Sequence, residues 1–234
     1  MKAFIQSQVT GLLNKQTIAY GVELFGYEDT IIDHVPRMSK PNGDIAYGNV
    51  GWIQGVAKVN ELNLPPFGYV PDPLRPYAPD YKIANISEAY RAFGKFVKPI
   101  PENQKQFNGF IIQKENPYHN MLTLAGYDND VIIQEPVEYV SEWRIIVLDH
   151  EVIDARHYKG NFRLAPDWSL ADKIASSYKD LGPAWSFDLG ITKEGKTLLI
   201  ECHSMFSLGC YGTPPIFMAK ALIQAWEHTW KLKK

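Results

Sequence analysis

Apolar runs separated by polar, glycine- or proline-marked breaks divide the chain into short elements. Residues 3–6 predict a strand. Leu12, Leu13, Ala19, Tyr20, Leu24 and Phe25 then recur at near-helical spacing, with Gly26 as the stop. Residues 30–35 predict a second strand, closed by Pro36. This β–α–β order favours a parallel sheet with a right-handed crossover. Residues 45–53 form a glycine-interrupted segment leading to a helix. Its Gly48 and Gly51 read as loop glycines in preference to points where backbone approaches a substrate. Residues 63–82 hold six prolines (Pro65, Pro66, Pro71, Pro73, Pro76, Pro79) among Tyr69, Tyr77 and Tyr81. They predict an irregular crossing segment and a domain boundary, giving domains 1–82 and 83–234.

Beyond the boundary, Ser87 is a candidate cap for a short helix over 86–89. Strands are predicted at 95–99, 110–112, 131–137, 141–148 and 152–158, the last two joined by a turn at Asp149-His150-Glu151. Helices are predicted over 171–179 and 217–230. Between them, 186–191 and 198–203 form a hairpin whose turn is Lys193-Glu194-Gly195-Lys196.

That hairpin concentrates candidate chemistry. Glu201 and His203 lie two apart, so a strand turns both to one face, and the hairpin can bring Asp188 beside them. Carboxylates crowded in this way repel unless a cation lies between them. A divalent metal site and a partly solvated polar edge strand are both consistent with the spacing. Glu142 and Arg144 also share a face. They read either as a structural salt bridge or as a ribose acceptor and a phosphate-binding guanidinium. Lys98 ends an apolar strand and Lys105 follows in a polar loop. Two surface lysines, or a basic lid over phosphates, would look the same. Tyr47, Gly48, Asn49, Trp52, Tyr158 and Tyr211 are candidates for a substrate pocket and equally for core.

Composition narrows the classes. The 234 residues are 45 % hydrophobic and 21 % charged, enough for a substantial core. A net charge of −2 gives no general support for nucleic-acid binding. The first residues hold no long apolar segment, so neither a signal peptide nor a membrane span is expected, and the default is the cytoplasm. Cys202 and Cys210 do not resemble a disulfide framework, and no second ligand pair supports zinc. No Gly-x-Gly-x-x-Gly follows the first strand and no Walker A pattern occurs.

Over roughly residues 43–215 the chain resembles the ATP-grasp superfamily, in particular the small phage- and bacteria-associated R2K clade, marked by one Arg and two Lys. Phe96-Val97-Lys98-Pro99, then Lys105 and Phe107-Asn108-Gly109, resemble the two-lysine region. Gln134-Glu135-Pro136-Val137 resembles the adenine-holding linker. Glu142 is similar to the ribose-binding carboxylate and Arg144 to the clade's arginine. Asp188 and Glu201 resemble the metal-binding acids, and residues 207–212 the closing Gly-Tyr-Gly run. His203 departs from the usual Asn. An imidazole there would shift preference from Mg²⁺ toward softer ions such as Mn²⁺.

The resemblance implies a mixed α+β fold with two subdomains clasping ATP behind a small α/β N-terminal domain. It implies an ATP- and Mg²⁺- or Mn²⁺-dependent carboxylate–amine ligase acting through an acylphosphate on a small molecule or peptide. Lys98, Gln134, Glu135, Pro136, Val137 and Glu142 would hold the nucleotide, Asp188, Glu201 and His203 the metal, and Arg144 and Lys105 would act on the phosphoryl group. The alternatives are a kinase on the same fold and a non-catalytic nucleotide binder.

Overall fold

A computed structural model, which describes residues 1–9, 11–65, 68–100 and 107–232, contains three sheets. The first holds β1 (Lys2–Gln6), β2 (Glu28–Ile32) and β3 (Ile45–Tyr47) in the order β2-β1-β3, all parallel, as the β–α–β pattern predicts. Helix α1 (Leu12–Glu23) joins β1 to β2. Strand β2 starts and stops earlier than predicted. Its register runs from Lys2↔Glu28 to Gln6↔Ile32, so residues beyond 32 have passed the end of β1 and find no ladder. Helix α2 (Val50–Asn60) follows β3. A Cβ on Gly48 would lie 2.6 Å from the Trp52 ring and 2.9 Å from Gln6, so packing alone accounts for this glycine.

The C-terminal helix α6 (Pro215–Leu232) packs against α1 and this first sheet. Trp226 Nε1 donates to the Ala46 carbonyl at 2.7 Å, and Trp230 Nε1 to the Asp44 carbonyl at 2.9 Å. A Cβ on Gly21 would lie 2.4 Å from the Pro215 carbonyl oxygen, so only glycine lets α1 meet the start of α6 this closely. The same core takes in Ile146, Leu148, Met205 and Phe206, which ties the N-terminal sheet to the C-terminal one.

The second sheet is antiparallel, in the order β4-β7-β5-β6: β4 (Tyr81–Ala84), β5 (Phe96–Pro99), β6 (Phe110–Ile111) and β7 (Val131–Gln134). The cap of α3 (Ile86–Ala89) is Asn85 and not the predicted Ser87. The Asn85 side chain accepts from the Ser87 N–H at 2.9 Å, so Ser87 is the capped residue. Helix α4 (Pro117–Thr123) has no counterpart in the apolar pattern. Buried Asn120 anchors it, accepting from Gln113 N at 3.0 Å and donating to Gln113 O at 2.7 Å.

The third sheet is four-stranded and antiparallel, two hairpins joined through β8 and β10 in the order β11-β10-β8-β9: β8 (Tyr139–Leu148), β9 (Glu151–Gly160), β10 (Ala184–Thr192) and β11 (Thr197–Ser204). Ile145, Val147, Trp185, Phe187 and Leu189 point to one face, where α5 (Trp168–Ser177) covers them. Helix α5 begins before the predicted residue 171 because Asp167 caps it, accepting from Ser169 N and Leu170 N at 2.9 and 3.3 Å. Alternation sends Glu142, Arg144 and Asp188 to the opposite face. Both cysteines are free and buried. Among the described residues, no helix is long and apolar enough to cross a membrane.

Candidate functional site

Between the second and third sheets lies a cleft of about 530 Å³. Lys98, from β5, enters it from one side. Its Nζ stands 3.9 Å from Glu201 Oε2 on β11, so the lysine reaches across from one sheet to the other. Gln134, Pro136 and Val137 line the wall where β7 ends, and Glu142 and Glu201 line the opposite wall. Glu135 does not face the cleft: its carboxylate pairs with Lys95 on the exposed side. Lys105 lies outside the described residues.

The β10–β11 hairpin sets Asp188 opposite Glu201 and Ser186 opposite His203. One ligand atom from each of Asp188, Glu201 and His203 falls within 4.8 Å of the others. His203 Nε2 is 3.1 Å from Glu201 Oε1 and 3.7 Å from Asp188 Oδ2. Despite the short approach to Glu201, that buried nitrogen makes no aligned hydrogen bond. Two carboxylates and an imidazole with an orphaned nitrogen are a donor set that fits a divalent cation.

Within this cluster, burial opposes ionisation of Asp188, but the Arg144 guanidinium and His203 overcome it and hold the carboxyl below its usual range. Burial likewise opposes charge on Glu201, and His203 and Lys98 outweigh it. The Glu201 side chain keeps 31 % exposure, so solvent screens part of that effect. Burial works against a charged His203, while Glu201 and Asp188 raise its pKa above the ordinary value.

Arg144 and Glu142 do not pair with each other. Arg144 makes a bidentate pair with Asp188, Nε to Oδ1 at 2.9 Å and Nη2 to Oδ2 at 2.8 Å. Glu142 instead accepts from Lys159 Nζ at 2.5 Å and from the Tyr158 hydroxyl at 2.8 Å. Two consecutive residues of a regular strand would point to opposite faces. Here the register slips, with Glu142 opposite Lys159 but Trp143 opposite His157, leaving Tyr158 as the bulged residue. The bulge lets both Tyr158 and Lys159 reach Glu142.

Lys159, which also lines the cleft, was not legible as a site residue. The only sequence signal was its place on the strand returning from Glu142, which carries no information about bulges. Of the aromatic pocket candidates, Tyr47 and Trp52 are core, and the Tyr47 hydroxyl donates to the Leu208 carbonyl. Tyr158 and Tyr211 stack at 4.8 Å and 16°, and the Arg144 guanidinium lies 5.0 Å from the Tyr211 ring.

Solved structures share this architecture. D-cycloserine synthetase DcsG superposes with a TM-score of 0.57 at 11 % identity, over 97 % of this chain and all of that one. The ATP-grasp ligase PsnB, complexed with minimal precursor, gives 0.54 at 13 %, over 96 % and 99 %. D-alanine–D-alanine ligase from Bacillus anthracis gives 0.53 at 13 %, over both chains entirely. At such identities the likeness is one of fold. No curated protein matches the sequence significantly. Residues 81–221, more than half of the chain and every strand of the second and third sheets, match the ATP-grasp domain of R2K clade family 2. The chain therefore belongs to the R2K clade of ATP-grasp proteins.

Proposed function

We propose that the chain is an ATP-dependent ligase that activates a carboxylate and joins it to an amine or another nucleophile. The observation that carries this reading is the order of groups along one cleft: the wall at Gln134–Val137, then Glu142, then Lys98 beside Glu201 and the acidic cluster. Family membership supplies the nucleotide. Support also comes from relatives of the fold. PsnB is known with Mg and ADP, and the B. anthracis ligase with ATP.

In this reading the backbone around Gln134–Val137 holds the adenine, and Glu142 accepts from the ribose hydroxyls. Asp188, Glu201 and His203 would hold the metal, Mg²⁺ or Mn²⁺. When bound, it would draw charge from the phosphate oxygens. An oxygen of the acceptor carboxylate attacks the γ-phosphorus, the bond to the β–γ bridging oxygen breaks, and ADP leaves. The amine then attacks the acylphosphate carbon, inorganic phosphate departs, and the amine loses a proton. Lys98 offsets negative charge on the phosphates, joined by Lys105. Arg144, oriented by Asp188, faces the phosphoryl group as it moves. No side chain acts as a nucleophile, and the buried thiols of Cys202 and Cys210 have pKa values pushed up, foremost by burial.

The test combines calorimetric titration of ATP with an assay of ADP release across amino acids and short peptides. ATP binding that needs Mg²⁺ or Mn²⁺, with ADP release only when both acceptor and amine are present, is expected. A stable phosphorylated acceptor without a condensed product would make the chain a kinase. No nucleotide binding with either metal would overturn the reading. A second reading, a nucleotide binder without turnover, rests on His203 and on an Asp188 already engaged by Arg144. It predicts tight ATP binding with no ADP release under any acceptor.

A further inference from the structure

We infer that Tyr158 is a positioning residue whose single hydroxyl ties the sugar-facing carboxylate Glu142 to the metal-facing carboxylate Asp188. This rests on the nucleotide reading above and goes beyond it, because it makes the two ends of the nucleotide site interdependent.

Three features support the link. The first is geometry: the Tyr158 oxygen is 2.8 Å from Glu142 Oε2 and 3.1 Å from Asp188 Oδ2. One O–H donor thus stands between two carboxylates that otherwise lean on different cations, Glu142 on Lys159 and Asp188 on Arg144. The second is register: Arg156 pairs with Arg144, so alternation along β9 turns Tyr158 to the face of Glu142 and Asp188, and the bulge beside it brings Lys159 to the same Glu142 carboxylate. The third is that the ring is held independently of its hydroxyl. It stacks on Tyr211 at 4.8 Å, with the Arg144 guanidinium 5.8 Å from its centre.

The physical consequence follows from the donor count. A phenol has one proton, and two acceptors share it. Its presence sets the rotamer of Glu142 and limits repulsion between the two carboxylates. Removing it frees Glu142 to follow Lys159, whose side chain is largely exposed. The oxygen that would receive a ribose hydroxyl then loses its fixed place, and Asp188 loses a partner on the oxygen facing His203.

Tyr158→Phe removes only the hydroxyl and keeps the stack. The experiment titrates wild type and Tyr158→Phe with ATP, 2′-deoxy-ATP and 3′-deoxy-ATP at high and limiting Mg²⁺, alongside a thermal melt of each. Tyr158→Phe is expected to weaken ATP about tenfold, the scale of a hydrogen bond to a charged group. It should weaken the deoxynucleotides less, so that discrimination for the intact ribose shrinks, and it should raise the Mg²⁺ needed for half-saturation several-fold. A merely structural tyrosine would lower the melting temperature and weaken all three nucleotides alike, and that outcome overturns the inference, as do unchanged constants. Should Tyr158→Phe fail to fold, Glu142→Gln reads the same link from its other end: a raised Mg²⁺ requirement supports it and an unchanged one overturns it. A wild-type chain that binds no ATP would remove the nucleotide reading and this link together. Normal wild-type binding with an indifferent Tyr158→Phe would remove the link alone.

Discussion

Arg144 and Asp188 are register partners on neighbouring antiparallel strands, and two nearly parallel hydrogen bonds of 2.9 and 2.8 Å join their side chains. Both are buried. A guanidinium and a carboxylate out of water need each other, because either alone would carry an uncompensated charge. The pair therefore does two things at once. It holds together the sheet face that carries the site, and in the proposed reading it orients Arg144 toward the transferred phosphoryl group.

Asp188→Ala should accordingly lose both binding and stability. Leaving Arg144 buried and unpaired is expected to cost about 3–5 kcal/mol. Asp188→Asn, which keeps an acceptor and the shape, should cost less while still weakening metal-dependent ATP binding. Urea denaturation and calorimetric titration of the two variants separate the effects. Equal stability of Asp188→Ala and wild type would contradict the account of the pair.

Lys98 makes the opposite prediction. Its contact with Glu201 is long, 3.9 Å, and such a pair adds little to stability. Lys98→Gln should leave the unfolding free energy within about 1 kcal/mol of wild type. It should weaken ATP about tenfold or more and ADP less, since in the proposed reading the charged donor meets the terminal phosphates. A loss of equal size for both nucleotides would place the lysine elsewhere along the phosphate chain.

His203 is expected to set the metal preference. His203→Asn replaces an imidazole with a harder oxygen or amide donor, so the ratio of Mn²⁺ to Mg²⁺ affinity should fall. Titration of each metal in the presence of ATP measures it. A ratio that does not change would mean His203 does not reach the ion.

The same residue gives the metal-free chain a pH signature. The pKa of His203 is raised above its ordinary 6.5, so its contribution is fully present below about pH 6.5 and is lost as pH rises through the raised value. The pKa of Asp188 is lowered from its ordinary 3.8, so its contribution is present above that pH and is lost as pH falls through the lowered value. The cluster thus favours folding most in the weakly acidic window between these limits. In melting experiments with chelator, wild type should exceed His203→Asn most near about pH 5–6, and the gap should close toward alkaline pH. A gap that stays constant with pH would sink this assignment.

Gly160, at the end of β9 beside Lys159, adopts φ +83°, and a Cβ there would lie 2.2 Å from the Val140 carbonyl oxygen. Gly160→Ala should therefore destabilise the chain by more than about 2 kcal/mol, combining the left-handed backbone with a clash against main chain. A melting temperature equal to wild type would show that β8 and β9 can part at this point without cost.

Much of this was legible in residue order. Strand alternation put Glu142 with Arg144, and Glu201 with His203, on shared faces. These pairs are local regularities with a period of two. The polar four-residue turn makes the hairpin, but Asp188 comes opposite Glu201 only because the ladder slips by one residue between Asp188 and Leu189; the turn's own register would have set it opposite Ile200. Helix α4 left no apolar rhythm to read, since a buried amide and not a hydrophobic stripe holds it. The cap at Asn85 was missed because Ser87, two residues on, is an equally good cap by type, and only the backbone angles distinguish them.

The sequence by itself determined the class of the chain, the order of its chemical groups and the hairpin that carries three candidate ligands, because those follow from side-chain type and short-range periodicity. Tertiary structure decided the partners. Arg144 chose Asp188 over Glu142 because antiparallel pairing sets them directly opposite, 44 residues apart in the chain. Tyr158 and Lys159 both reached Glu142 because a bulge broke the alternation. Lys98 met Glu201 only because two separate sheets close around one cleft. Each of these depends on the relative placement of strands distant in sequence, which packing sets and local pattern does not encode.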